Sequence, residues 1–164
     1  MAAITVFNGA PAPTQLNAGA ALGALLTAAM GTSTNYDGTN ATGAGAMVLV
    51  YTAGTAGGQL PKLRVRYAST AGAVASGTTN ATVVRIWANN GSANTTAANN
   101  IFLGEVSVPA VTMTQTAALS QPVDFDFGLL SVPTGYRIYA GLATAIGGTN
   151  CALAVNMLGG GDYA

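Results

Sequence analysis

The sequence predicts an all-β fold: an antiparallel β-sandwich whose strand count suits an eight-stranded jelly roll, preceded by an extended N-terminal arm. Three observations carry this expectation. From residue 45 onward apolar and polar residues alternate with a period of two, as they do where successive side chains of a strand point to opposite faces. The runs are short and rich in β-branched and aromatic residues, with clusters of Gly, Pro and Asn between them. No stretch in this part keeps the three-and-four spacing of an amphipathic helix.

Residues 1–44 are rich in Ala, Gly, Thr and Asn, and Pro11 and Pro13 disfavour helix around them, which suggests an extended arm. Within that segment Ala18 to Met30 reads either as a short helix or as more extended chain. The spacing of Leu22, Leu25, Leu26 and Met30 favours helix, while Gly19 and Gly23 oppose it.

The sandwich is expected over residues 45–164. Met47 to Tyr51 is an apolar run closed by the turn Gly54 to Gly58. Leu63-Arg64-Val65-Arg66-Tyr67 alternates strictly, with the arginines on one face. Thr82 to Trp87 ends at Asn89-Asn90-Gly91, and Ile101 to Val108 stops at Pro109. Val111 to Leu119 is a Thr-rich candidate. Val123-Asp124-Phe125-Asp126-Phe127 alternates again, Tyr136 to Leu142 follows the turn Val132-Pro133-Thr134-Gly135, and Cys151 to Leu158 precedes a glycine tail. A seven-stranded immunoglobulin-like sandwich is the nearest competitor, but its Cys-Trp-Cys signature is missing. At 164 residues the chain fits one domain with a core large enough to need no staple, in line with its single Cys151.

Charge is scarce. Asp, Glu, Lys and Arg make up 6% of the chain, five of each sign, against about 25% in an ordinary soluble domain. So little charge favours self-association, which points to a surface covered by copies of the chain or by a partner. The alternative is a monomer wetted by its Thr, Asn, Ser and Gln side chains. A neutral chain has no electrostatic footprint for nucleic acid, and Lys62, Arg64 and Arg66 form its one small basic group. Ala18 to Met30, broken by Thr27 and glycines, falls short of the roughly 20 apolar residues of a membrane-spanning helix. Met1 to Thr5 lacks the basic start of a secretory signal, so the chain is expected to stay in the cytoplasm where it is made or to leave inside an assembled particle.

Recognisable chemistry is missing as well. The chain has no histidine, so neither a Ser-His-Asp nor a Cys-His site can form, and Cys151 has no imidazole to activate it. Asp124 and Asp126 lie two apart on one strand face, where a glycosidase pair or calcium site would need help from Asp37, Glu105 or Asp162. Their simpler reading is a solvated face or pairing with Arg64, Arg66 or Arg85, within or between subunits. Gly54-Thr55-Ala56-Gly57-Gly58 lacks the Gly-Lys-Ser/Thr ending of a phosphate loop and reads as a hairpin turn. The Asn-x-Ser/Thr triplets at Asn40, Asn80, Asn90 and Asn94 carry little meaning without a secretory signal. Tyr67, Trp87, Tyr136 and Tyr139 could form a sugar-stacking platform, although single aromatics in strands more often pack in a core. No catalytic, cofactor-binding or metal-binding residue is expected.

Several ordered blocks resemble a group of small tailed-bacteriophage and prophage proteins. They are Leu63-Arg64-Val65-Arg66, then Val83-Val84-Arg85-Ile86-Trp87-Ala88-Asn89-Asn90-Gly91, then Thr95 to Asn100, then Leu103-Gly104-Glu105-Val106 leading to Val108-Pro109-Ala110. Val132 to Tyr139 and the ending Gly161-Asp162-Tyr163 complete the likeness, which covers roughly residues 45–164. The resemblance implies a structural virion component with no enzymatic activity. The leading expectation within it is a capsid decoration (cement) protein on the capsid surface, bridging major capsid subunits, with homotrimers a common form of such proteins. The uncharged N-terminal 36 residues would be the arm that reaches a neighbour. The alternative is a tail-associated adhesin that binds host carbohydrate through its aromatic residues.

Overall fold

The computed structural model describes residues 24–30, 36–39, 47–70, 74–116, 121–159 and 161–162. These form β1 (Ala24–Leu26), β2 (Val48–Thr52), β3 (Gly58–Ser69), β4 (Gly77–Thr78), β5 (Thr82–Asn89), β6 (Asn100–Val108), β7 (Thr112–Met113), β8 (Val123–Val132), β9 (Arg137–Leu142), β10 (Cys151–Leu158) and β11 (Gly161–Asp162). One 3₁₀ turn, Ala97–Asn99, leads into β6, and no α-helix occurs among the described residues.

The strands make an antiparallel sandwich. The first sheet has the order β1-β10-β3-β8, with β11 continuing beside β3 past the end of β10. The second has the order β2-β9-β5-β6, and β4 and β7 pair separately. The pairings are nested: β1 with β10, β2 with β9, β3 with β8, and β5 with β6. The first four long strands therefore pair in reverse order with the last four, and successive pairs fall alternately in the two sheets.

The core follows from the alternation. On β3, Leu60, Leu63, Val65 and Tyr67 point inward while Lys62 and Arg66 are exposed. They meet Val84, Ile86 and Ala88 of β5, Ile138, Ala140 and Leu142 of β9, and Leu153, Val155 and Met157 of β10. Each fully buried Leu, Ile or Val contributes about 1.5–3 kcal/mol of hydrophobic stabilisation. Strand β10 lies between β1 and β3, and seven of its eight residues are buried.

Two strands run longer than the sequence expectation, and one open alternative is settled. Ala24–Leu26 takes the extended reading and not the helical one: its register on β10 sets Leu26 opposite Leu153 and buries it in the core. Strand β3 begins at Gly58, upstream of the expected Leu63, because Pro61 sits at a register shift between Leu60 and Lys62, where its missing N–H costs no ladder bond. Strand β8 runs past Phe127 to Val132, with Phe127, Gly128 and Leu129 bulging between the pairs Lys62–Asp126 and Leu60–Leu130. Of the Val111 to Leu119 candidate, Thr112–Met113 is strand and residues 117–120 lie outside the described residues. The expected arm falls partly outside them too, at residues 1–23, 31–35 and 40–44, whereas residues 24–30 and 36–39 pack on the sandwich.

Edge strands β6 and β8 close one side of the sandwich at Gly104. A Cβ there would meet the Phe125 ring at 2.6 Å, and its φ of 151° is one that L residues rarely adopt. Gly128, at φ 64°, has nothing within 4 Å of its Cβ position. Gly104→Ala should therefore destabilise the fold by about 2–4 kcal/mol through strain and overpacking, and Gly128→Ala by about 1 kcal/mol through strain alone. Denaturant midpoints of the two variants check the ranking.

Candidate functional site

Two outer sheet faces and one loop end carry the polar and aromatic chemistry. On the outer face of the second sheet the bulge at Ile86/Trp87 sets Trp87 opposite Phe102. Trp87 is fully buried there, in a small cluster with Met30 and Met47 that Phe102 and Tyr139 flank. The cover comes from the connection between β1 and β2. Met30 and Met47 both reach Gly141, where an added Cβ would lie 2.4 Å from the Met30 sulfur. At the other end Trp87 Nε1 donates to the Tyr36 carbonyl (3.2 Å), and Gly38, at φ 71°, fits against Trp87 and Asn100 where a Cβ would be 3.0 Å from each. Arg85 joins the two layers: Nε donates to Glu105 (3.2 Å), Nη2 donates to the Tyr36 hydroxyl (3.1 Å), and the guanidinium lies 4.3 Å from the Tyr36 ring centre.

The loop end is built from asparagines. Asn89, 1% exposed, donates from Nδ2 to Asn100 Oδ1 (2.8 Å) and accepts from the Gly91 N–H (2.9 Å). Asn100 Nδ2 then faces the carbonyls of Asp37, Gly38, Asn94 and Thr96 at 2.8–3.3 Å. An amide nitrogen has two hydrogens, so four acceptors share them. The arrangement ties the 36–39 segment and the 94–96 turn to β6. It holds backbone in place and offers no reactive group.

On the outer face of the first sheet, Arg64 makes a two-pronged pair with Asp124, with Nε to Oδ1 and Nη2 to Oδ2 both at 2.8 Å. Asp126 stands opposite Lys62, and its Oδ1 accepts from the Gly128 N–H (2.8 Å). Of the sequence readings for Asp124 and Asp126, pairing with Arg64 holds for Asp124. No group of three or more Cys, Asp or Glu positioned for a metal occurs among the described residues. Cys151 is buried, donating to backbone carbonyls of Ser76 and Thr149.

The four aromatics do not share a face. Tyr67 is in the inner core, with its hydroxyl on the Pro109 carbonyl, and Trp87 lies under the Met30 and Met47 side chains, so neither ring offers a face for sugar stacking. Tyr136 packs at the main core and Tyr139 at the Trp87 cluster. Sequence reasoning missed Met30, Tyr36 and Asn100. Their one signal is that Met30 and Tyr36 are the large side chains in an otherwise small-residue stretch.

The Arg64 hydrogen bonds hold the Asp124 carboxyl below its ordinary value; burial opposes this, and the Arg64 and Lys62 charges add to the lowering. Arg64 is raised correspondingly by the same hydrogen bonds. Because the folded value is the lower one, the pair's stabilisation is complete above the unfolded carboxylate value, about 3.9, and is lost as pH falls through the folded value. Wild type should lose up to about 1 kcal/mol more than Asp124→Asn on acidification below about pH 4, the size expected for a partly solvated pair. Denaturant unfolding of both proteins across pH 2–6 checks this.

No family model, curated protein or solved structure matches this chain.

Proposed function

We propose that this chain is a structural component of a tailed-phage particle, a capsid decoration (cement) protein that sits on the outer shell and bridges neighbouring major capsid subunits. The observation that carries the reading is the nested pairing of eight strands in two four-stranded sheets. We read this winding as a jelly roll, an architecture that recurs in viral capsid domains. The block resemblance to small phage proteins supports it, and so does the scarcity of charge. A Thr- and Asn-rich sandwich can cover a large area of a partner while desolvating few ions, each of which would otherwise cost several kcal/mol.

The reading is non-enzymatic. The sequence has no histidine, and Asp124, half of its one close carboxylate pair, is committed to Arg64. The partners are the major capsid protein and further copies of the chain, a homotrimer being the form common among phage cement proteins. The capsid-reaching arm of the proposal is narrowed to residues 1–23, since Leu26, Met30 and Tyr36 are used by the sandwich itself.

Cryo-EM of purified particles from the source tests this. Density for the sandwich in many copies on the shell is the expected result, with occupancy lost for a chain lacking residues 2–22 that is still folded. Density at the tail alone would replace the reading with a tail adhesin, and absence from the particle would overturn both.

A further inference from the structure

The two outer faces of the sandwich are finished differently. Over the second sheet the chain lays its own Met30, Tyr36 and Met47. Strands β3 and β8 of the first sheet carry five of the molecule's ten charged residues: Lys62, Arg64 and Arg66 on β3, and Asp124 and Asp126 on β8 beside it. Cross-strand register places Lys62 opposite Asp126 and Arg64 opposite Asp124, so the face carries a basic stripe and an acidic stripe side by side. Among the described residues one row of this pattern is joined, Arg64 with Asp124. Lys62, Arg66 and Asp126 are exposed and make no ion pair among the described residues. The Gly128 N–H donates to Asp126 Oδ1 along its own strand.

Two adjacent stripes of opposite sign are complementary to themselves. Rotation by half a turn about an axis in the face, running between β3 and β8 and parallel to them, turns a second copy over so that its acidic stripe covers the basic stripe of the first. Height along the strands is unchanged by this operation, so Lys62 of each copy meets Asp126 of the other. We propose that this face is a homotypic interface at which two copies of the chain dock face to face, related by a two-fold axis and registered by reciprocal Lys62–Asp126 contacts. The contact is isologous, so every pair occurs twice. A nucleic acid would need a face of one sign, which the interleaved acids deny it. The pairing is a property of the free chain in solution and does not rest on the capsid reading; it leaves the covered face of the second sheet and both loop ends open to other partners.

Sedimentation equilibrium on the full chain at low salt tests it. The native chain should be a dimer that weakens as salt is raised. Lys62→Asp and Asp126→Lys alter exposed side chains and should fold as judged by circular dichroism. Each should raise the dimer dissociation constant about a hundredfold, because each reversal places two like-charge contacts in the interface. Mixing the two variants restores both contacts across the interface, acid on base in each row, and should give a heterodimer about as tight as the native pair. No rearrangement within one chain can mimic that rescue. A native chain that stays monomeric at high concentration, an oligomer indifferent to either reversal, or a mixture of variants that fails to reassociate would overturn the proposal.

Discussion

The sheet β2-β9-β5-β6 must be dry on both sides at Trp87, although Leu49, Thr52, Glu105 and Ser107 on its edge strands are exposed, and much of the local structure follows from that constraint. Its inner side closes against β3 and β10 in the ordinary way of a sandwich, with Val84, Ile86 and Ala88 interleaved with residues of the facing sheet. Its outer side bears Trp87, the largest side chain in the molecule, whose indole N–H needs a partner once it leaves water. Met30 and Met47 fill the space above the ring, and the Tyr36 carbonyl takes the N–H. Methionine suits this cover because its flexible thioether fills irregular gaps.

The cover explains several local choices together. Gly141 leaves room for the Met30 sulfur, and Gly38 lets the backbone lie against Trp87. Asn100 gathers four carbonyls so that the segment carrying Tyr36 and Gly38 is tied down where it crosses β6. Arg85 reaches from the sheet to Tyr36 while paired with Glu105, so even this charge serves to join layers. Of the five cations, Arg64 and Arg85 are in ion pairs whose acids lie across neighbouring strands. Lys62, Arg66 and Asp126 display their charge in solvent on the outer face of the other sheet.

Period-two alternation made the strands legible: Leu63 to Tyr67 and Val123 to Phe127 face as their patterns require. What the pattern could not carry was long-range. Ala24–Leu26 has no alternation to mark it, and only its edge position on β10 makes it a strand. Trp87 alternates outward from Val84, Ile86 and Ala88, so the layer that buries it comes from residues about 50 positions upstream. Asn100 looked like any loop asparagine because its partners, backbone carbonyls, have no sequence signature. The aromatic platform failed for the same reason: Tyr67 and Trp87 share a strand-like context but face opposite sides of different sheets.

Trp87 is the chain's one tryptophan, so its fluorescence reports directly on whether the outer face is covered. The account predicts blue-shifted emission from the native protein that acrylamide hardly quenches, and red-shifted, readily quenched emission after truncation of residues 2–39. Emission from the intact folded chain at the position of tryptophan in water, with efficient quenching, would contradict burial of the outer face at Trp87.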